Sequence, residues 1–191
     1  MNYGTETGRW NKANCTVMVG LPAMGKSTIA NFSLDVYDRV GMPAFVYSTD
    51  DEIEKRSAFN GWTYDQGFAE FIEPATKHMN ERLDIAVRGK QDIIWDQTNL
   101  GAGKRRKIIN RMKQAGYQLR CECIVPPEEG HLSDLKDWKY RLQNRPGKTI
   151  PDEVISNMHK SFVMPTIEEG FDMITFYNMH GVLLGIEYGD K

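Results

Sequence analysis

The chain has 191 residues, 40% of them hydrophobic, with a net charge of −2 at pH 7 and a mean hydropathy of −0.53. That length predicts one domain, residues 1–191, and the near-neutral charge is not the bulk signature of a non-specific nucleic-acid binder, although a local basic groove is compatible with it. No apolar stretch approaches the roughly 20 residues of a membrane span, and Met1–Asn14 is polar with no signal-peptide core. The reading is therefore a soluble, cytoplasmic protein with a flexible segment over residues 1–14.

In chain order, Cys15–Val19 reads as a buried strand that stops at Gly20. Helical spacing follows from Gly25 through Ile29, Ala30, Phe32, Val36 and Tyr37, and Gly41-Met42-Pro43 ends it. Phe45–Ser48 is a second strand. Thr49-Asp50-Asp51 reads as a loop or cap before a short helix that begins near Glu52 and runs toward Ala58. Asn60-Gly61 breaks the chain. From Asp65 to Arg88, Phe68, Phe71, Ile72, Ala75, Met79, Leu83, Ala86 and Val87 form one helical stripe.

Ile93–Trp95 is a third strand, followed by Asp96-Gln97-Thr98-Asn99. Ala102–Ala115 is a basic amphipathic helix closed by Gly116, and Tyr117–Val125 alternates as a fourth strand. Glu128–Asn144 is a charged helix, broken by Arg145-Pro146-Gly147. Pro151–Phe162 is another helix, with proline in its first turn and Asp152 and Glu153 suited to the N-terminal dipole. Phe171–Tyr177 is a fifth strand, and Val182–Tyr188 is a candidate sixth. Strands alternating with helices predict an α/β sandwich with a mostly parallel sheet.

Gly20-Leu21-Pro22-Ala23-Met24-Gly25-Lys26-Ser27 matches G-x-x-x-x-G-K-[ST], between a predicted strand and a predicted helix. The glycines let backbone N–H groups turn inward around phosphate oxygens, and the helix N-terminus adds its dipole. Lys26 reaches β- and γ-phosphates, and Ser27 is the candidate Mg²⁺ ligand. Thr28 reads as a packing residue behind them. The loop thus calls for ATP and Mg²⁺.

Ligands of open α/β sheets sit at the carboxyl ends of the strands. Asp50, Asp51 and Asp96 should therefore face the phosphate crevice. Asp51 has a second reading as a helix cap. Asp96 orients the Mg²⁺ water shell, contacts the acceptor, or ties loops together. Thr98 and Asn99 bind substrate or close the turn. Arg141 and Arg145, four residues apart, fit a lid spanning residues 128–150 with a hinge at Pro146-Gly147, or simply a solvated face.

Lys104-Arg105-Arg106-Lys107, with Arg111 and Lys113, reads equally as a contact for nucleic-acid phosphates or as a solvated face. Phe59, Trp62, Tyr64 and Phe68 are aromatic neighbours of the crevice, with Trp62 and Tyr64 open to base stacking and Phe68 better suited to the core. The cysteines, Cys15, Cys121 and Cys123, read as reduced core thiols. The four histidines are scattered and form no metal cluster.

These motifs together resemble the phage polynucleotide 5'-hydroxyl kinases and related small P-loop kinases. The resemblance runs from about Val17 to Met164. It rests on the phosphate loop, Ser48-Thr49-Asp50-Asp51, Asp96-Gln97-Thr98-Asn99-Leu100 with Lys104-Arg105-Arg106, and Arg141-Leu142-Gln143-Asn144-Arg145 with the helix beyond Pro151. It implies a three-layer sandwich with a five-stranded sheet of order 2-3-1-4-5 and a helical lid. It implies Asp50 as the general base, Lys26 and Arg145 as catalytic cations, and Arg141 and Arg145 on the ATP phosphates.

The resemblance also implies a nucleic-acid hydroxyl as acceptor. 5-Hydroxymethyluracil in DNA, or a small metabolite as in zeta-toxin relatives, are its alternatives. The family's acceptor-gripping arginine, three residues after the base, is replaced here by Ile53, so Arg56 or Lys55 is the expected substitute. The phosphatase motif Asp-x-Asp-x-Thr of bifunctional members does not occur.

Overall fold

The computed structural model describes residues 12–127 and 131–189. The expected flexible segment falls mostly, and the start of the lid partly, outside those residues. Strand β1 (Asn14–Val19) leads into α1 (Lys26–Arg39), then β2 (Phe45–Tyr47), α2 (Thr49–Phe59), α3 (Tyr64–Arg88) and β3 (Ile93–Trp95). The chain continues through α4 (Ala102–Gln114), β4 (Gln118–Ile124), α5 (Leu132–Gln143), α6 (Asp152–Lys160), β5 (Met173–Tyr177) and β6 (Leu183–Tyr188).

The sheet has six strands in the order β2-β3-β1-β4-β5-β6. The first five are parallel, and β6 returns antiparallel along β5. The implied order 2-3-1-4-5 holds, with the candidate sixth strand added at the edge.

Alternation along the strands divides the core into two layers. Cys15, Val17 and Val19 of β1 and Cys121 and Cys123 of β4 face Met79 and Leu83 of α3 and Ile108, Ile109 and Met112 of α4. Met18, Ile94 and Ile124 face the other way, against Ala30 of α1 and Trp138 of α5. All three cysteines are free and buried. Burial pushes the Cys15 and Cys123 thiols up to about 12.

One boundary differs in a way that bears on the site. Helix α2 begins at Thr49, because the Ser48 hydroxyl accepts the Asp51 N–H at 3.2 Å and caps it. Asp50 therefore lies inside the first turn, beside the positive end of the helix, and the cap is Ser48 and not Asp51. Among the described residues no helix is long and apolar enough to cross a membrane.

Candidate functional site

β1 delivers the phosphate loop to the carboxyl edge of the sheet. Gly20 has φ 153°, and a Cβ there would come 3.2 Å from Cβ of Ile124. Its N–H donates to the Thr98 carbonyl at 3.1 Å, so the loop is pinned to the segment after β3. Gly25 turns the chain into α1 with φ 94°, a left-handed value that suits glycine. The first N–H groups of α1 have no partner within the helix and fit the phosphates of a nucleotide.

Lys26 opens α1, and its Nζ donates to the Leu21 carbonyl at 2.9 Å. Burial lowers its ammonium to about 8, against an upward pull from Asp96 and a downward one from Arg145. The Ser27 hydroxyl donates to Asp96 Oδ2 at 3.4 Å. Burial raises the Asp96 carboxyl; Lys26 pulls it down, while Asp51 and Asp50 push it up. Ser27 and Asp96 thus meet at the carboxyl edge of the sheet, where the starts of α1 and α2 also stand. Ser27 is suited to a cation that keeps most of its shell as water and phosphate oxygens.

Asp50 is exposed, and both its oxygens are engaged. Tyr64 donates its hydroxyl to Oδ1 at 3.0 Å, and Lys148 Nζ lies 3.5 Å from Oδ2. Lys148 also pairs with Glu54. Burial raises the Tyr64 phenol, with Asp50 as the next cause. The Asp51 carboxyl is raised by burial and by Glu54.

Helix α5 packs on the phosphate loop through buried Trp138, whose Nε1 donates to the Pro22 carbonyl at 2.8 Å. Arg141 pairs with Asp137 at 2.7 Å and donates to the Met179 carbonyl at 3.0 Å. A cavity of about 230 Å³ opens there, lined by Thr28, Ile29, Arg141, Met179 and His180 among others. Thr28 thus borders this space and is exposed. Arg145 makes no ion pair among the described residues, and its charge is felt at both Lys26 and Tyr64.

Other predicted residues have different tasks. Asn99 takes the second of its two readings, closing the turn after β3. It is fully buried with φ 47°, and its amide donates to the Met18 carbonyl at 2.8 Å and the Gln97 carbonyl at 3.2 Å. Thr98 lends its carbonyl to Gly20. Arg56 pairs with Glu52 at 2.8 Å and lies 3.4 Å from His78, between α2 and α3. Lys55 is exposed, and Ile53 is fully buried. Trp62 stacks on Phe71 with ring centroids 5.6 Å apart and remains 45% exposed.

Arg105, taken from the sequence as part of a basic surface, is fully buried. It makes a two-pronged pair with Glu169 and donates to the Asn99 and Leu100 carbonyls at 3.1 and 2.7 Å. Lys104, Arg106 and Lys107 remain exposed. Desolvation lowers the Lys104 ammonium and Asp50 pulls it back, so the start of α4 faces the Asp50 side. Tyr64 on Asp50, Lys148, and the Arg105–Glu169 pair had not been read from the sequence.

Residues 16–165 match the model of a family described as an AAA domain. The L-seryl-tRNA(Sec) kinase of Methanococcus maripaludis is 27% identical over 158 residues, which is 82% of this chain and 55% of that kinase. The chain thus spans about half the length of that relative. Among solved structures, a candidate kinase of Chloroflexus aurantiacus superposes with a TM-score of 0.60 at 13% identity, covering 87% of this chain and 88% of that one. The AvrRxo1-ORF1:-ORF2 complex with ATP superposes with a TM-score of 0.63 at 13% identity, covering 87% and 55%. At such identities the structures show a shared fold.

Proposed function

The chain belongs to the AAA domain family, and from that premise we propose that it is an ATP-dependent kinase acting on a hydroxyl of a nucleic acid, most simply a polynucleotide 5'-hydroxyl. The observation that carries this reading is Asp50, held by Tyr64 and Lys148 in the first turn of α2 at the same carboxyl edge of the sheet as the phosphate loop that carries Lys26. A nucleotide switch needs that loop alone. A carboxylate held on the acceptor side is what phosphoryl transfer adds.

ATP with Mg²⁺ supplies the phosphoryl group. The loop N–H groups and Lys26 hold phosphate oxygens, and Ser27, backed by Asp96, offers its hydroxyl to the metal. Asp50 takes the proton of the attacking hydroxyl. Arg145 stabilises charge that spreads over the transferring group.

A nucleic-acid acceptor is supported by Lys104, exposed at the start of α4, with Arg106 and Lys107 exposed beyond it, and by a relative named for a tRNA-borne seryl group. A second reading, a hydroxyl carried on a base such as 5-hydroxymethyluracil in DNA, is favoured by one observation. Ile53 is buried and Arg56 is engaged, so α2 offers no free guanidinium for a phosphate beside the attacking hydroxyl.

The test offers ATP labelled on its γ-phosphate together with 5'-hydroxyl DNA, 5'-hydroxyl RNA, hydroxymethyluracil DNA, seryl-tRNA and free nucleosides. Label on a polynucleotide end supports the leading reading. Label only within the modified DNA moves the assignment to the second. Label on free nucleosides alone refutes a nucleic-acid acceptor, and no transfer to any of them counts against the kinase reading.

A further inference from the structure

Resting on the kinase reading, we propose that Lys148 is a positioning residue for the transfer: it fixes the Asp50 carboxylate and ties that orientation to the segment that carries Arg145. Lysine is almost never buried unless it is paired, yet the Lys148 side chain is only 9% exposed. Its ammonium lies 3.5 Å from Asp50 Oδ2, pairs with Glu54, and sits 4.2 Å from the centroid of the Tyr64 ring. The Tyr64 hydroxyl holds the other oxygen of Asp50. Lys148, Tyr64 and Asp50 therefore form a closed triangle in which each touches the other two.

The backbone on both sides of Lys148 is docked as well. The Asp65 N–H donates to the Gly147 carbonyl at 3.4 Å, and the Thr149 N–H donates to Asp65 Oδ2 at 2.8 Å. Asp65 stands in the first turn of α3, so the segment is clipped to the start of that helix. Arg145 lies three residues before Lys148 and has no ion pair of its own among the described residues. Its position depends on where this segment docks.

The rest of the neighbourhood leaves this task to Lys148. Ile53, one turn on from Asp50, is fully buried in the core. Arg56 faces Glu52 and His78. Lys104 approaches Asp50 from α4 without an ion pair among the described residues. Among the described residues, Lys148 joins the Asp50 carboxylate directly to the segment that carries Arg145. Losing it frees Asp50 to rotate and undocks the segment, while the phosphate loop stays intact. A small misplacement of a reacting group suffices to cost on the order of 10²-fold in rate.

The test compares Lys148→Met, Lys148→Arg, Glu54→Gln and Asp50→Asn in the full chain. For Lys148→Met the expected result is a kcat lowered about 10- to 100-fold, with ATP affinity and thermal midpoint near those of the unaltered protein. Lys148→Arg should restore much of the rate, and Glu54→Gln should lose far less than Lys148→Met. An unchanged kcat in Lys148→Met overturns the proposal, as does a loss matched by Glu54→Gln and tracking the thermal midpoint, which is what a merely structural pin would give.

Amide hydrogen exchange supplies a readout without turnover. Asp50→Asn should speed exchange over residues 145–150, and unaltered exchange there contradicts the tie. If Asp50→Asn turns over normally, the kinase reading loses its base. If Asp50→Asn is inactive and Lys148→Met is not, only the role of Lys148 fails.

Discussion

The Tyr64 hydroxyl donates to Oδ1 of Asp50 across 3.0 Å, joining the first turn of α3 to the first turn of α2. Thr63 caps α3 in a capping box with Gln66, and Ser48 caps α2. Two helix starts, each set by its own cap, thus fix one carboxylate at the mouth of the phosphate crevice. Asp50 is held by helix termini and Lys26 by a glycine loop, and both stand at the same edge of the parallel sheet.

Arg145→Ala should lower kcat by more than tenfold, the scale for removing a charge stabiliser from a transfer site. Its charge acts at Lys26 and Tyr64, and it has no ion pair among the described residues, so little stability should be lost with it. Steady-state kinetics beside a thermal melt measures both. A rate equal to that of the unaltered protein would remove Arg145 from the site.

Nucleotide affinity should fall as pH rises through about 8. Burial lowers the Lys26 ammonium to that value in the free protein. The charged form binds phosphate, so deprotonation above about 8 competes with binding, and below it affinity is flat with respect to this group. The same shift makes burial of Lys26 a cost to folding below about 8, relieved as pH climbs toward the unfolded value of 10.5. Equilibrium ATP binding from pH 6.5 to 9.5 checks this. An identical pH slope in Lys26→Ala would assign the effect elsewhere.

Arg105→Ala should destabilise the fold by about 3–5 kcal/mol, because it leaves Glu169 without its partner in a nearly dry setting. It also strips the Asn99 and Leu100 carbonyls of their donor, which loosens the loop that carries Asp96. Denaturant titration gives the first effect. A loss below about 1 kcal/mol would mean that the pair does no more than a surface bridge.

The phosphate loop and the strands were legible because they are local in sequence: a four-point motif and apolar runs, whereas the strand order came only from the family resemblance. The start of α2 was also within reach, since Ser48-Thr49-Asp50-Asp51 has the serine-to-acid spacing of a helix cap. Arg105 carried a signal too. It shares the helical face of Ile108, Ile109 and Met112, so periodicity puts it inside although composition puts it on a basic surface. Lys148, Tyr64 and Asn99 were not legible in these roles. Each depends on partners brought near only by tertiary packing: Asp50 for Lys148 and Tyr64, and the end of β1 for Asn99.

The central claim is that Asp50 serves as base for transfer to a nucleic-acid hydroxyl. Its most direct test is single-turnover transfer of label from γ-labelled ATP to a 5'-hydroxyl oligonucleotide, run with the unaltered protein and with Asp50→Asn. The account predicts a labelled 5' end with the first and a rate lower by roughly 10²- to 10⁴-fold with the second, at nearly equal ATP affinity. Labelling at the same rate by Asp50→Asn, or no labelled oligonucleotide from the unaltered protein, would contradict it.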